Sequence, residues 1–271
     1  MNFATKDARI VYTIEGDGPA LVLLHPFPAN REFWHGVAPT LATSYRLVMP
    51  DLRGHGDSPA GDGDATMQKH AADLSDICDA AGVKRGVFAG VSIGGYILFE
   101  FWRRYPDRVR ALILCDTKAQ PDTPQARSDR LKMAEQVERS GTSAYIESMV
   151  PKLLGESTRV RRPELVEQAR RMMSRLSAPA MAAVLRGMAS RADSVSTLSS
   201  INVPTVVMAG DEDTLTPPAD AEFIHKHIRG SHLHAIRAAG HYAPFEQPEA
   251  TAKIMLSFLR GLPPDAGSNA K

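Results

Sequence analysis

The residue types best suited to chemistry fall in one short segment, Gly90-Val91-Ser92-Ile93-Gly94. It directly follows an apolar run, Gly86–Gly90, that is expected to be a strand, and it precedes a stretch of helical length. A serine at the apex of such a tight turn holds its hydroxyl clear of the backbone. Gly90 and Gly94 leave room where a side chain would collide with the neighbouring strand or helix. The segment therefore predicts Ser92 as a nucleophile that attacks a carbonyl carbon.

The same turn also predicts a place for negative charge. The backbone N–H of Ile93 is expected at the start of the following helix, where partial positive charge favours an anion. We predict this N–H as one donor of an oxyanion hole, which stabilises the oxygen that becomes negative when a serine attacks a carbonyl. The alternative interpretation is a glycine-rich turn capped by a serine that has no catalytic role.

Alternating strands and helices must position this turn. Short apolar runs predict buried strands, and stretches of helical periodicity or length predict helices between them. The predicted strands are Ala20–Leu24, Tyr45–Pro50, Gly86–Gly90, Val109–Cys115, Val203–Gly210 and Ser231–Ile236. The predicted helices are Met67–Ala81, Ile93–Tyr105, one that begins at Pro217, and Pro248–Arg260. This alternation indicates an α/β fold with a mostly parallel sheet covered by helices on both faces.

The interval 118–198 differs from the rest of the chain because it contains no good strand candidate. It is predicted to be helical, with breaks near its proline and glycine residues. We expect an all-helical cap at 118–198, inserted into a core formed by 1–117 and 199–271. Six of the eleven methionines lie in this cap, where they pack helices together or form a soft lining for an apolar ligand. The Pro/Gly/Ser-rich end, 261–271, is predicted to be a flexible tail.

Composition and charge exclude several classes of protein. The chain has 271 residues, of which 43% are hydrophobic, so we expect it to fold rather than remain disordered. With 32 Lys and Arg against 31 Asp and Glu, it offers no electrostatic case for nucleic acid or a membrane surface. It has neither an apolar run of about 20 residues, as a membrane span needs, nor a segment typical of a signal peptide. The two cysteines, Cys78 and Cys115, are interpreted as buried thiols of a cytoplasmic protein.

The segment Leu24-His25-Pro26-Phe27-Pro28 follows the first of the predicted strands. Together with the serine turn, it resembles the α/β-hydrolase superfamily, over about 20–117 and 201–262. The resemblance implies the α/β-hydrolase fold, with Gly90 and Gly94 flanking the serine in the turn called the nucleophile elbow. It also implies that the protein needs no cofactor and no metal ion.

In this family, the loop after the first core strand usually reads His-Gly-x, and the residue at x supplies the second oxyanion donor. That role would fall on the backbone N–H of Phe27. The chain departs from the pattern at Pro26, where glycine is usual, although Phe27 keeps its N–H. Pro28 can add a cis peptide bond. His25 is interpreted as a brace for this loop rather than as a proton carrier.

The resemblance further implies an acid and then a histidine base after the nucleophile in chain order. Among nine histidines, His241 lies in a segment, Gly240–Pro248, that is similar to the family signature G-H-x-x-x-x-E-x-P. The acid is expected in Gly210–Pro217, where three carboxylates lie within three positions. The family pattern favours Asp213, which would hold the imidazole in the correct tautomer. Asp211 remains the alternative.

Other histidines carry weaker signals. His225 with His227, and His232 with His234, have a two-residue spacing that can place two rings on one face. No pattern of cysteine or carboxylate partners accompanies them, so we predict no metal site. His55 lies in a segment that the family usually uses for structure.

The resemblance favours an enzyme that hydrolyses carboxylic esters and lactones through an acyl-enzyme. Ser92 excludes epoxide hydrolases and haloalkane dehalogenases, which have aspartate as the nucleophile. The chain is most similar to small cytosolic carboxylesterases and lactonases, such as 3-oxoadipate enol-lactonases and N-acyl-homoserine lactonases. Its predicted partner is a small-molecule ester or lactone. Open alternatives are a slow-turnover ligand receptor, a C–C bond hydrolase, and a cofactor-free perhydrolase of haloperoxidase type. Ile93 argues against the perhydrolase, because methionine often follows the nucleophile there.

Overall fold

The computed structural model describes residues 1–4 and 8–264, and among these residues eight strands form one sheet. The strands are β1 Asn2–Ala4, β2 Arg9–Glu15, β3 Ala20–Leu24, β4 Arg46–Pro50, β5 Gly86–Val91, β6 Val109–Cys115, β7 Thr205–Gly210 and β8 His232–Ile236. Their order across the sheet is β1-β2-β4-β3-β5-β6-β7-β8. The pairs β1–β2 and β2–β4 are antiparallel and the other pairs are parallel, so the sheet is mostly parallel.

Twelve α-helices lie in the described part of the chain. They are α1 Ala38–Ala42, α2 Met67–Ala80, α3 Ile93–Arg104, α4 Pro124–Ser140, α5 Ser143–Leu153, α6 Glu156–Arg161, α7 Pro163–Met173, α8 Ala178–Ala189, α9 Val195–Leu198, α10 Pro218–His227, α11 Ala243–Glu246 and α12 Pro248–Arg260. None of these described helices combines the length and the apolar character needed to cross a bilayer. Helix α2 packs on α3, and α1 contacts α12. Because crossovers are right-handed and the chain reverses direction across the sheet after β4, α1 and α2 lie on opposite faces.

The predicted α/β fold is confirmed, and its inner strands form where the sequence has nearly continuous apolar runs. β5 and β7 are buried along their whole length, as strands covered by helices on both faces must be. The predicted strand bounds agree with the structure to within two residues. The helix expected to begin at Pro217 begins instead at Pro218, because Pro217 has an extended backbone (φ −54°, ψ 157°) and caps the helix.

Strands β1 and β2 were not predicted. Only two residues of β2, Ile10 and Tyr12, are deeply buried, so its apolar signal is weaker than that of the inner strands. β2 pairs antiparallel with β4, with Thr13 opposite Met49. The sheet thus extends beyond the parallel strands that the sequence indicated.

Six helices, α4–α9, occupy the chain between β6 and β7, and none of its described residues belongs to a strand. We call residues 118–198 the helical segment. Its methionines at 172, 173, 181 and 188 are buried, and those at 133 and 149 are partly buried. Of the predicted tail 261–271, residues 265–271 lie outside the described part of the chain.

Four adjacent strands end together at one edge of the sheet. Val91 at the end of β5 pairs with Cys115 at the end of β6, and Gly210 at the end of β7 pairs with Ile236 at the end of β8. Because these strands are parallel, the loops that follow them emerge at the same edge, where α/β proteins place their ligands. The predicted nucleophile, acid and base all lie in these loops.

Candidate active site

Ser92 occupies the apex of the turn between β5 and α3, with φ 54° and ψ −113°. A positive φ is uncommon for a residue with a Cβ atom, so neighbouring groups must hold it. The N–H of Ser92 donates to the carbonyl of Cys115 at 3.0 Å. The carbonyl of Ser92 accepts from the N–H of Gly95 at 2.9 Å and from Oγ1 of Thr117 at 2.8 Å. The turn is therefore fixed from both β6 and α3.

The glycines of this turn are required by space. A Cβ atom on Gly90 would lie 2.5 Å from the carbonyl carbon of Gly94, and one on Gly94 would lie 2.8 Å from the carbonyl oxygen of Leu24. A Cβ atom on Gly95 would collide with the side chain of Thr117. Close packing of β5 and α3 against the end of β3 and against Thr117, which follows β6, thus explains the pattern seen in the sequence.

The two predicted oxyanion donors lie in different elements. Phe27 lies in the loop after β3, and Ile93 lies at the start of α3. Ile93 is the first residue of α3, and no described residue accepts a hydrogen bond from the backbone N–H of Ile93 or Phe27. Pro26 does not prevent a turn, because its carbonyl accepts from the N–H of Ala29 at 2.9 Å. The Phe27–Pro28 peptide bond is cis. Both N–H groups are therefore without an acceptor in the part of the chain that the structure describes.

His25 lies beside this loop with both ring nitrogens engaged. Nε2 accepts from the N–H of Leu52 at 2.9 Å, so Nδ1 carries the proton that is donated to the carbonyl of Pro26 at 2.9 Å. Burial lowers the pKa of His25 to about 4. His55 is also buried, with its ring 4.9 Å from that of His25, and burial lowers its pKa to about 3. Two neutral histidines thus support the loop.

His241 and Asp213 are joined by a direct hydrogen bond. Nδ1 of His241 lies 2.8 Å from Oδ2 of Asp213, and both side chains are buried. Oδ2 also accepts from Oγ1 of Thr216 at 2.6 Å, while Oδ1 accepts the N–H groups of Leu215 and Thr216. The alternative acid, Asp211, is exposed. The structure therefore pairs the predicted base with the acid that the family pattern favours.

Asp213 and His241 each stabilise the charged form of the other. Burial alone would lower the pKa of His241, but the charge and hydrogen bond of Asp213 outweigh burial and raise that pKa above its ordinary value. Burial alone would raise the pKa of Asp213, but the charge and hydrogen bonds of His241 and Thr216 hold it below its ordinary value. An ionised carboxylate in this position stabilises an imidazolium.

A further buried carboxyl, Asp116, was not anticipated from the sequence. It directly follows β6, has φ 44°, and accepts from the N–H of Gly210 at 2.8 Å and from Sγ of Cys115 at 3.1 Å. Burial, together with the charge of Asp213, raises the pKa of Asp116 to about 8. The signal available in the sequence was its place immediately after a buried strand.

Two glutamates join the helical segment to the loops that carry Asp213 and His241. The carboxylate of Glu246 accepts from the N–H groups of Gly240 and Gly155, each at 2.8 Å. Glu212 accepts from the N–H of Ser157 at 2.8 Å and from its hydroxyl. Sequence reasoning missed both roles, although Glu246 is the glutamate of the family signature.

The histidine pairs lie away from this site. Nδ1 of His225 shares a hydrogen bond with Oγ of Ser231 at 2.8 Å, and His232 and His234 are exposed on β8. Within residues 1–4 and 8–264, no three His, Cys, Asp or Glu side chains are grouped as metal ligands.

A comparison with known protein families identifies the family of this chain. The family described as the alpha/beta hydrolase fold matches residues 19–248. The chain belongs to this family.

Several relatives resemble the chain over most of their length. The 3-oxoadipate enol-lactonase 1 of Acinetobacter baylyi is 27% identical over 246 residues, which cover 91% of this chain and 90% of the relative. The structure of a thermophilic esterase from Thermogutta terrifontis, with malate bound, has a TM-score of 0.93 and 38% identity, and covers 96% of this chain and 97% of that one. An enol-lactonase from Burkholderia xenovorans has a TM-score of 0.89 over 96% of this chain and 100% of that one. Its 24% identity supports the fold alone.

Proposed function

We propose that this protein is a serine hydrolase that cleaves carboxylic esters and lactones, with Ser92, His241 and Asp213 as its catalytic triad. The observation that carries the proposal is the buried 2.8 Å hydrogen bond between His241 and Asp213, at the sheet edge where Ser92 also lies. Because Nδ1 of His241 is engaged by the acid, Nε2 is the nitrogen left to act as the base.

The reaction proceeds in two acyl-transfer steps. Nε2 of His241 takes the hydroxyl proton of Ser92 as Oγ attacks the carbonyl carbon, and the resulting oxyanion accepts hydrogen bonds from the N–H groups of Phe27 and Ile93. His241 then gives the proton to the leaving alkoxide, which leaves the acyl group on Ser92. His241 next takes a proton from water as the water oxygen attacks the acyl carbon. It then returns this proton to Oγ of Ser92 as the bond between Oγ and the acyl carbon breaks and the carboxylic acid leaves. Each oxyanion donor is worth about 3–4 kcal/mol in the transition state.

The substrate class draws on the relatives and on the position of the helical segment. The named relatives include an enol-lactonase and an esterase, so an ester or lactone of a small molecule fits best, and N-acyl-homoserine lactones fall in that class. We assign the helical segment, 118–198, as the cap over the site. The ring of Tyr145 on α5 lies 5.9 Å from that of Phe27, which brings the cap to the oxyanion loop. The free, buried thiols of Cys78 and Cys115 suit the cytoplasm.

Covalent labelling tests the nucleophile directly. An organophosphonate should label the parent with a stoichiometry of one and leave Ser92→Ala unlabelled. Ser199→Ala, which changes an exposed serine, should be labelled like the parent. With 4-nitrophenyl butanoate and a simple acyl lactone as substrates, Ser92→Ala should lose at least about 10⁴-fold in kcat. Equal labelling of Ser92→Ala, or no hydrolysis of either compound by the parent, would refute the proposal.

A second pair of variants tests the acid. Asp213→Asn should lower kcat by about 10⁴-fold, because an amide favours the wrong imidazole tautomer. Asp211→Asn should stay close to the parent. A parent turnover far below about 1 s⁻¹, combined with a ligand-dependent partner, would indicate a receptor instead.

A further inference from the structure

A network of charges lies where the helical segment meets the core. Asp122 pairs with two arginines, since it accepts from Nε of Arg130 at 2.8 Å and its Oδ1 lies 2.6 Å from Nη1 of Arg191. The side chains of Asp122 and Arg191 are each only 3% exposed. Arg191 also lies 4.5 Å above the ring of Tyr96 and donates from Nη2 to the carbonyl of Gln120 at 2.9 Å.

This network adjoins the proposed catalytic residues on two sides. Tyr96, beneath Arg191, lies on α3 one helical turn after Ser92. Arg130 is close enough to the buried phenol of Tyr145 for its charge to act on it, and the ring of Tyr145 packs near Phe27. The network therefore adjoins the helix that follows Ser92 and, through Tyr145, approaches the oxyanion loop.

Lys118 adds a third cation. It follows β6 closely, is half-buried, and has no carboxylate of the described residues within ion-pair distance. Burial lowers the pKa of Lys118 and the charge of Arg191 lowers it further, while Asp122 and Asp220 only partly oppose this effect. Repulsion from the nearby guanidinium groups is thus not fully balanced by the protein itself.

The cations of this network outnumber its carboxylates. Asp122 and Asp220 both raise the pKa of Lys118. However, Asp122 is already engaged by Nε of Arg130 and, at 2.6 Å, by Nη1 of Arg191. Lys118 is thus left without a carboxylate of its own at ion-pair distance among the described residues. One further negative group would balance this charge.

We propose that Lys118, Arg130 and Arg191 bind a carboxylate carried by the substrate, so that the enzyme prefers esters or lactones with a second, anionic group. This inference rests on the proposed function, because it names the substrate class of the same site. Guanidinium and ammonium groups make strong, charge-assisted hydrogen bonds to carboxylates, and these bonds gain strength where water is excluded. An anion in this position would also relieve the repulsion on Lys118.

A matched pair of substrates tests the preference. The half-esters 4-nitrophenyl hydrogen succinate, glutarate and adipate carry a carboxylate, and their methyl esters have the same length without the charge. Release of 4-nitrophenol reports cleavage of the same bond in every case. We expect kcat/KM to favour the anion by about 10-fold or more at one of these lengths. This ratio should fall as salt is added, because salt screens the attraction.

Variants assign the preference to this network. Lys118→Met leaves both arginine pairs with Asp122 in place, so it tests the charge with little risk to folding. It should lower the ratio of anionic to neutral kcat/KM by about 10-fold. Lys226→Met removes an exposed lysine on α10, and the ratio should then remain that of the parent. Arg191→Gln should lower the ratio further, and its circular dichroism spectrum will show whether it is folded.

The outcomes separate the two proposals. If the parent hydrolyses the neutral esters through Ser92 but shows no preference for the anions, the carboxylate site is wrong and the serine hydrolase stands. A preference that Lys118→Met and Arg191→Gln both leave unchanged also overturns the site. If the parent hydrolyses neither kind of ester, both proposals fail.

Discussion

Two of the contacts between the helical segment and the core have opposite character. In the first, the glycine contact, Gly155 packs on Gly240, and Glu246 accepts from the N–H groups of both, while Glu212 bonds Ser157. A Cβ atom on Gly155 would lie 2.7 Å from the nitrogen of Gly240 and 2.5 Å from Oε2 of Glu212. The φ of Gly155 is −60°, so space rather than backbone conformation requires glycine there.

In the second, the arginine contact, Arg175 reaches the core from between α7 and α8. Its Nη1 lies 2.6 Å from Oε1 of Glu32, and its Nη2 lies 2.7 Å from Oδ1 of Asp57. All three side chains are at least 40% exposed. Clefts of about 740 Å³ and about 700 Å³ lie beside this contact, each lined in part by Arg175. Water thus reaches these ion pairs.

The difference shows which contact can control the catalytic geometry. A buried hydrogen-bonding group that loses its partner costs about 1–3 kcal/mol, whereas an exposed ion pair contributes about 0–1 kcal/mol. The glycine contact includes the residues immediately before Asp213 and His241. We therefore expect activity to depend on the glycine contact and to be nearly independent of the arginine contact.

Among changes made to test this comparison, Gly155→Ala is expected to have the largest effect. The new methyl group must displace backbone at Gly240, next to His241, and such overpacking costs about 1–3 kcal/mol. Each kcal/mol corresponds to about 2–4 °C in Tm for a chain of this size. Misplacement of His241, the proposed base, should lower kcat/KM by up to about 10²-fold. Calorimetry and 4-nitrophenyl butanoate hydrolysis measure the two effects.

Gly261→Ala is the matched control for this change. Gly261 has a negative φ, and the nearest atom that its Cβ would meet lies 3.5 Å away. This variant should keep the Tm and activity of the parent. Equal behaviour of the two variants would show that the glycine contact has no special role.

Glu246→Gln should have the next largest effect. An amide has one carbonyl oxygen for two N–H groups, so either Gly155 or Gly240 loses its acceptor, at a cost of about 1–3 kcal/mol. The charge of Glu246 also helps to raise the pKa of His241. Since His241 must be neutral to act as a base, loss of that charge should shift the acid limb of the kcat/KM profile to lower pH.

Glu249→Gln controls for the loss of a negative charge, because Glu249 is exposed in the first turn of α12. Its pH profile should overlie that of the parent. An unchanged acid limb in Glu246→Gln would show that this carboxylate acts on structure alone.

Asp116→Asn tests how a buried carboxyl that belongs to neither contact affects stability, since the partners of Asp116 are Cys115 and Gly210. In the folded protein Asp116 stays protonated up to about pH 8, whereas in the unfolded chain it ionises near pH 4. The unfolded chain therefore binds fewer protons across this window, and the stability of the parent falls as pH rises. Asparagine has no such proton, so the Tm of Asp116→Asn relative to the parent should rise by a few °C between pH 5 and pH 8.

Thermal unfolding at several pH values, with the exposed Asp129→Asn as the control, measures this trend. A Tm difference that is constant with pH would show that Asp116 is ionised in the folded protein. That result would place a second negative charge beside Asp213.

Those parts of the fold could be predicted whose residue pattern lies within a few consecutive positions of the sequence. Ala20–Leu24 and Val109–Cys115 were predicted with the bounds they have, because strands buried on both faces consist almost entirely of apolar residues; Arg110 is the one charged residue in these two strands. Arg9–Glu15 was missed, because only alternate residues are deeply buried at its start. The turn at Ser92 could be interpreted because the nucleophile and its glycines lie within five residues.

The missed residues of the site depend on contacts between distant parts of the chain. The partner of Glu212 lies 55 residues away at Ser157, and Asp116 bonds the N–H of Gly210 across 94 residues. Neither contact leaves a periodicity or a spacing that one sequence can reveal. Asp213 could be favoured over Asp211 only through the family pattern, since both are carboxylates in one loop.

The smallest effect is expected from Arg175→Gln, which removes the arginine contact. Asp57 keeps Arg31 as a partner at 2.8 Å, so only Glu32 loses its ion pair. The loss should be below about 0.5 kcal/mol and should shrink further in 0.5 M salt, because exposed pairs are screened. kcat/KM for 4-nitrophenyl butanoate should change by less than about 2-fold. A larger loss of activity with an unchanged Tm would mean that Arg175 holds the helical segment in the position that activity requires. Activity would then depend on both contacts, although one is buried and the other is exposed.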